Sequence, residues 1–345
     1  MAKPPGSATA AGSVPPAPLI PSQVASWRSQ GFAFVSGLFE PELIAALREA
    51  AARTFPAADS PEAAAVTDFG SGGRLNFPSR CAPLNAVTLH PRLLAAAAQL
   101  LGCPETEIRL TQSDLWPKYG RAGVPSAALD NDDQRIHVDY PNHTLAHPTP
   151  WDRPEAVELI LYLDDVTECG GATAVVPRSG PDDPAYRWPI VDTPGIAELD
   201  YVNDRESAEA YFAVQRPQLA EWRQSLYQRE RRTWYRPGDV LLYRHDTWHR
   251  GTPLMAGRRR LVQNVTFRRA ASEWISVLHV GWAWSAYARD KFLERLIAGA
   301  SLTQRAVLGF PQPGSAYWCP ETLAAVEARY GVFGMDMTPY REALL

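Results

Sequence analysis

The sequence predicts a mainly β protein with flanking helices, an α+β fold. Runs rich in Val, Ile, Leu and Phe, bounded by Gly, Asp and Pro, recur along the chain and are typical of strands. Segments with apolar residues at helical spacing lie mostly before and after them. We predict strands at 31–35, 108–112, 157–163, 240–243 and 261–267, and helices at 21–27, 41–55, 93–101, 207–232, 274–298 and 320–330.

The amino-terminal elements follow from composition and from helix end signals. Residues 1–21 are mostly Ala, Pro, Gly and Ser, and we expect a disordered tail because they bury too little apolar surface to offset the entropy of ordering. A single folded domain is expected over 22–345. Pro41 and Glu42 mark the first turn of one helix, and Gly102 follows another in the position that commonly ends a helix.

Composition narrows the classes of function. A chain of 345 residues, 46% of them hydrophobic, can bury the core of one large domain. The net charge of −4 and the absence of any Lys or Arg run longer than Arg258-Arg259-Arg260 argue against nucleic acid as a partner. No segment has the apolar length of a signal peptide or a membrane span. Four widely spaced cysteines indicate no disulfide framework. We expect a cytoplasmic monomer or homodimer that acts on a small molecule.

A candidate metal site begins with the extended stretch from Arg135 to Tyr140. In a strand, alternate side chains share a face, so His137 and Asp139 project together. One imidazole and one carboxylate suit a divalent transition metal, and two histidines with one carboxylate are typical of non-haem Fe(II) oxygenases. His249 is the candidate for the third ligand, with His245 as its competitor.

The spacing around these residues resembles the phytanoyl-CoA dioxygenase family of Fe(II)/2-oxoglutarate oxygenases. The Gly238-Asp239 turn lies eleven residues before His249, and Arg260 lies eleven residues after it, which favours His249 over His245. Residues 168–180 and 112–118 are similar to two further segments of the family. The resemblance implies a double-stranded β-helix, or cupin-like jelly roll, with its core over about 105–270.

The resemblance also implies roles for individual residues. The far carboxylate of 2-oxoglutarate is expected to bind Arg260, although Arg259 takes that role if the strand register slips by one residue. Thr252 substitutes for the Ser that is common in the family where this chain has Gly251. The implied metal ligands and catalytic residues are His137, Asp139 and His249; Arg260, Lys118, Gln112 and Thr252 border the cosubstrate; Tyr140, His143 and Trp248 are substrate candidates.

The implied activity is that of an Fe(II)- and 2-oxoglutarate-dependent dioxygenase. With O2 it hydroxylates a C–H bond of a small molecule and releases succinate and CO2. Related halogenases have Ala or Gly in place of the carboxylate, so Asp139 favours hydroxylation. A non-oxidative, cupin-like metal enzyme and a catalytically silent binding protein remain as alternatives. The polar insertion at about 180–232 is expected to be a lid, a recognition element or an oligomer surface, and 271–345 a helical extension.

Overall fold

The core of the protein consists of antiparallel β-sheet. A computed structural model describes residues 17–66, 74–121, 132–187, 193–274 and 287–345. In these residues one sheet has the strand order β1-β5-β3-β7-β2, and β4 pairs with β6 in a second sheet. The strands are β1 (Phe32–Val35), β2 (Ile108–Tyr119), β3 (Ala156–Tyr162), β4 (Thr173–Val175), β5 (Val240–Tyr243), β6 (His249–Gly251) and β7 (Arg259–Arg269). The strands predicted at 31–35, 108–112, 157–163, 240–243 and 261–267 are each present.

The large sheet has two faces with different surroundings. Because side chains alternate along a strand, Val157, Leu159 and Leu161 of β3 pack against the amino-terminal helices. Ile160 and Tyr162 point the other way, into a cluster shared with the small sheet. The inner face between the two sheets therefore holds the side chains that can form a site.

Four helices cover the outer face of the large sheet. They are α1 (Pro21–Gln30), α2 (Pro41–Thr54), α3 (Ala82–Thr88) and α4 (Pro91–Leu101), and the sequence predicted all but α3. The expected boundary of the tail needs correction, because Leu19 is buried in this core. Leu19 donates its N–H to Oε1 of Gln99 at 3.1 Å, and Nε2 of Gln99 donates to the Leu19 carbonyl at 3.0 Å. The described fold therefore begins before residue 22.

The insertion packs behind the segment that carries the first two metal ligand candidates. Two short helices of the core, α5 (Tyr140–His143) and α6 (Val166–Cys169), precede its helices α7 (Arg205–Gln215) and α8 (Pro217–Arg229). The single helical stretch predicted at 207–232 is broken at Arg216, since a residue before proline disfavours helical geometry. Ile136 donates its N–H to the Tyr227 hydroxyl at 3.0 Å, and Arg223 donates to the Ile136 carbonyl at 3.1 Å.

The carboxy-terminal extension forms a smaller core of its own. Its helices are α9 (Phe292–Gly299), α10 (Leu302–Val307), α11 (Pro320–Tyr330) and α12 (Thr338–Glu342). Of the helix predicted at 274–298, residues 275–286 lie outside the described part, whereas the helix predicted at 320–330 is confirmed. Arg329 pairs with Glu294 at 3.2 Å and donates to the Thr144 carbonyl at 2.9 Å. No helix in the described ranges has the length and apolarity needed to cross a bilayer.

Candidate metal centre

The segment that carries His137 and Asp139 is not the regular strand that the sequence predicted. His137 forms an isolated bridge with His249, and each donates its N–H to the carbonyl of the other, at 2.9 and 2.8 Å. Asp139 has left the extended conformation, with φ −96° and ψ −2°, and caps helix α5. Its N–H donates to the carbonyl of His245 at 3.0 Å. These backbone bonds bring segments about 110 residues apart into contact.

His137, Asp139 and His249 form a compact triad. Nε2 of His137 lies 3.5 Å from Oδ1 of Asp139, and Nε2 of His249 lies 3.1 Å from Oδ2. All three donor atoms lie within 4.8 Å of one another. Ligands bound at right angles about 2.1 Å from one ion are about 3 Å apart. The side chains therefore already have the spacing of a shared ion.

Hydrogen bonds to the protein backbone orient both imidazoles. Nδ1 of His137 contacts the Arg135 carbonyl, and Nδ1 of His249 contacts the Thr247 carbonyl, each at 2.9 Å. A carbonyl oxygen only accepts, so Nδ1 carries a proton in both rings, and Nε2 of each ring faces Asp139. Metal-binding histidines are commonly fixed in this way. The donor set thus fits an N2O-ligated divalent ion.

The electrostatics of the triad also favour a cation. Burial lowers the pKa of the His137 imidazole to about 3, and the charge of the neighbouring His249 acts in the same direction. Burial opposes ionisation of Asp139, but His249 and His137 hold the pKa of its carboxyl well below the usual range. The same Asp139 carboxylate raises the pKa of His249 against the effect of burial. A divalent ion takes the place of the proton shared by this pair, because metal ligands bind in their deprotonated forms.

Arg260 faces the inner side of the large sheet, as the alternation of β7 predicted. It lies opposite Lys118 in the sheet, and its guanidinium lies 5.7 Å from the ring centre of Tyr162. Nη1 donates to the Gly171 carbonyl, and among the described residues no side chain or backbone group hydrogen-bonds its Nε. Arg259 turns outward and donates to the carbonyls of Phe55 and Pro56, each at 2.7 Å. The buried guanidinium of Arg260 therefore has spare donor capacity.

The other residues expected at the cosubstrate already have protein partners. Lys118 is buried and donates to the carbonyls of Thr252, at 2.9 Å, and Asp132, at 2.5 Å. The Thr252 hydroxyl donates to the Ala172 carbonyl at 2.7 Å. Gln112 donates its amide to Asp114 at 2.8 Å. These bonds use donors that we expected to be free for the cosubstrate.

Two of the three substrate candidates lie away from the triad. Trp248 precedes His249 and therefore points to the other side, where its Nε1 donates to the Ala185 carbonyl at 2.5 Å. Tyr140 is fully buried in the same core cluster, with its ring 4.4 Å from that of His147. This geometry does not support substrate contact for Trp248 or Tyr140.

His143 belongs to a second group of polar side chains, with His245 and Glu158. The sequence analysis did not identify Glu158, although a single charged residue inside the apolar run 157–163 was an available signal. Glu158 lies opposite Tyr243 in the sheet, and the Tyr243 hydroxyl donates to Asp139 at 3.1 Å. Burial, then the charge of Asp139, raises the pKa of Glu158 well above its usual range. The group thus adjoins the triad.

The sequence profile of phytanoyl-CoA dioxygenase (PhyH) matches residues 27–262, more than half of the chain, and this span contains all three triad residues. The chain belongs to this family. Family membership and the triad identify iron as the metal and 2-oxoglutarate as the cosubstrate of this family member. No curated protein sequence matches the chain significantly.

Several solved structures are similar to this chain at low sequence identity. EvdO2 from Micromonospora carbonacea var. aurantiaca is 17% identical, with a TM-score of 0.50, and the match covers 75% of this chain and 97% of that one. The carbocyclase SnoK from nogalamycin biosynthesis is 16% identical, with a TM-score of 0.47 and coverage of 73% and 85%. EctD from S. alaskensis is 18% identical, with a TM-score of 0.47 and coverage of 74% and 78%. The likeness to EvdO2 confirms the predicted jelly-roll fold.

Proposed function

We propose that this protein hydroxylates a C–H bond of a small-molecule substrate, with 2-oxoglutarate and O2 as cosubstrates and succinate and CO2 as coproducts. The buried triad of His137, Asp139 and His249 is the observation that carries the proposal. Two neutral imidazoles and one carboxylate would hold a divalent iron ion and would leave coordination positions free for other ligands. Such open positions distinguish an oxygenase centre from a closed structural metal site.

Bound iron supplies O2-dependent oxidation, in which one oxygen atom of O2 enters succinate and the other enters the substrate. The protein's own residues hold the reactants in place. The carbonyls of Arg135 and Thr247 fix the two imidazole rings, and the Tyr243 hydroxyl orients the Asp139 carboxylate. Because these partners are rigid backbone or sheet positions, the ligands need little rearrangement when metal binds.

Arg260 is proposed to bind the carboxylate of 2-oxoglutarate that is remote from the iron. Only 8% of Arg260 is exposed, and a buried carboxylate needs a cationic partner. A guanidinium stays protonated and can donate two parallel hydrogen bonds to a carboxylate. Arg260 lies on the inner face with an unused Nε donor, which supports this assignment.

The test combines isotope labelling with a panel of small metabolites. Fe(II)-loaded protein is incubated with 2-oxoglutarate, 18O2 and each candidate substrate, and succinate and product masses are measured. We expect one substrate class to increase succinate and to gain one 18O atom. His249→Ala should abolish both signals because a triad ligand is lost.

Two outcomes would identify the alternative functions. Turnover of a substrate without O2 or succinate would indicate a non-oxidative metal enzyme. Binding of a metabolite without any turnover in the iron-loaded protein would indicate a silent binding protein. Either result contradicts the proposed hydroxylation.

A further inference from the structure

His143, Glu158 and His245 form a second group with the composition of a metal site. Each residue offers one donor atom, and these atoms all lie within 4.8 Å of one another. Nε2 of His245 lies 3.1 Å from Oε1 of Glu158, and Nε2 of His143 lies 3.7 Å from the same oxygen. We propose that these three residues bind a second divalent transition-metal ion beside the triad.

The two imidazole rings have a separation that one ion can bridge. The ring centroids of His143 and His245 are 4.9 Å apart. Two imidazoles that each bind one ion at about 2.1 Å have centroids about 5 Å apart. The corresponding distance between His137 and His249 in the triad is 4.4 Å. Both pairs therefore have the separation of rings that share an ion.

Burial leaves two possible ligand atoms of this group without a hydrogen-bond partner. The side chains of His143, Glu158 and His245 are 11, 6 and 4% exposed. In the described part of the chain, Oε1 of Glu158 and Nε2 of His245 take part in no hydrogen bond, although the two atoms lie 3.1 Å apart. No Arg or Lys there pairs with Glu158. Buried carboxylates are normally paired with a cation or coordinate a metal. A divalent ion would satisfy all three donors at once.

The two histidines of the second group lie on the same segments of the chain as the triad, but the two groups share no ligand. His143 lies four residues after Asp139, at the end of α5, and His245 lies four residues before His249, after β5. Glu158 comes from the central strand β3. Two imidazoles and one carboxylate are a ligand set known for Zn²⁺ and suited to Fe²⁺ or Mn²⁺. The second site would therefore bind an ion of its own, and this proposal does not rest on the proposed hydroxylation.

The test is the number of metal ions bound by the full-length protein. Metal-free protein is titrated anaerobically with Co²⁺ by calorimetry, and bound cobalt is counted by elemental analysis after desalting. We expect two equivalents for the wild type and one each for His245→Ala, Glu158→Gln and His249→Ala. His90→Ala is the matched control, because His90 pairs with Glu40 outside both groups, and it should retain two equivalents.

The outcomes separate the second site from the triad. A wild type that binds one equivalent, lost in His249→Ala and kept in His245→Ala, overturns the second site and leaves the proposed oxygenase intact. Two equivalents that are both kept in His249→Ala contradict the triad instead. If a variant fails to fold, anomalous diffraction from cobalt-soaked wild-type crystals decides the matter. Two peaks, one at each group, support the proposal, and a single peak at the triad refutes it.

Discussion

Replacement of Arg260 by alanine should weaken 2-oxoglutarate binding strongly. The guanidinium is buried, and its Nε has no hydrogen-bond partner among the described residues, so a bound carboxylate would lose its main cationic partner. Removal of one member of a buried charge pair costs roughly 2–5 kcal/mol, at about 1.4 kcal/mol per tenfold change. The dissociation constant of 2-oxoglutarate should therefore rise by about thirtyfold or more.

Arg259→Ala is a matched control for this experiment. It removes an arginine from the adjacent position of the same strand, but its partners are the carbonyls of Phe55 and Pro56 on the outer side. Anaerobic calorimetry with metal-loaded protein gives the dissociation constant of 2-oxoglutarate, and circular dichroism melting checks the fold. Equal or stronger weakening in Arg259→Ala would refute the assignment of Arg260 to the cosubstrate.

Three further predictions concern the metal, the reaction and stability. His249→Ala should bind one metal equivalent fewer than the wild type while its circular dichroism spectrum stays that of the wild type; an undiminished number of bound equivalents would contradict the triad. Because Asp139 occupies the carboxylate position, mass spectrometry should find no chlorinated main product in chloride-rich buffer. Burial raises the pKa of Glu155 from its usual 4.5 to about 7. The folded state therefore retains a proton that the unfolded chain loses. As the pH rises from about 4.5 to 7, the free energy of unfolding should fall by up to about 3 kcal/mol. Glu155→Gln should remove this decline in denaturant unfolding, and an unchanged pH dependence would contradict it.

The triad was predictable because its signals are local. His137 and Asp139 are two residues apart, and His249 follows a recognisable turn and strand at a fixed distance from Arg260. Strand periodicity also gave the correct face for Arg260. The order of the strands in the sheet was not predicted, since pairing between distant segments depends on packing that short patterns do not record.

The second metal group and the substrate side were harder to predict for a related reason. Glu158, His143 and His245 meet only after β3 and β5 pair, and no spacing along the chain encodes that contact. Tyr140 was a substrate candidate at the end of a stretch expected to be extended, but the backbone turns at Asp139 and Tyr140 is buried in the core. Sequence periodicity fails where a few bridges to other segments replace a regular strand.

Residues of the carboxy-terminal extension bind the loop that follows helix α5. Arg329, fully buried, donates to the carbonyls of Thr144 and Ala146 at 2.9 and 3.2 Å. The Tyr317 hydroxyl donates to the His147 carbonyl at 2.9 Å. The family match ends at residue 262, so a fragment cut to that match would leave these buried carbonyls without donors. A unit of this chain that keeps these bonds therefore extends through helix α11, beyond residue 262.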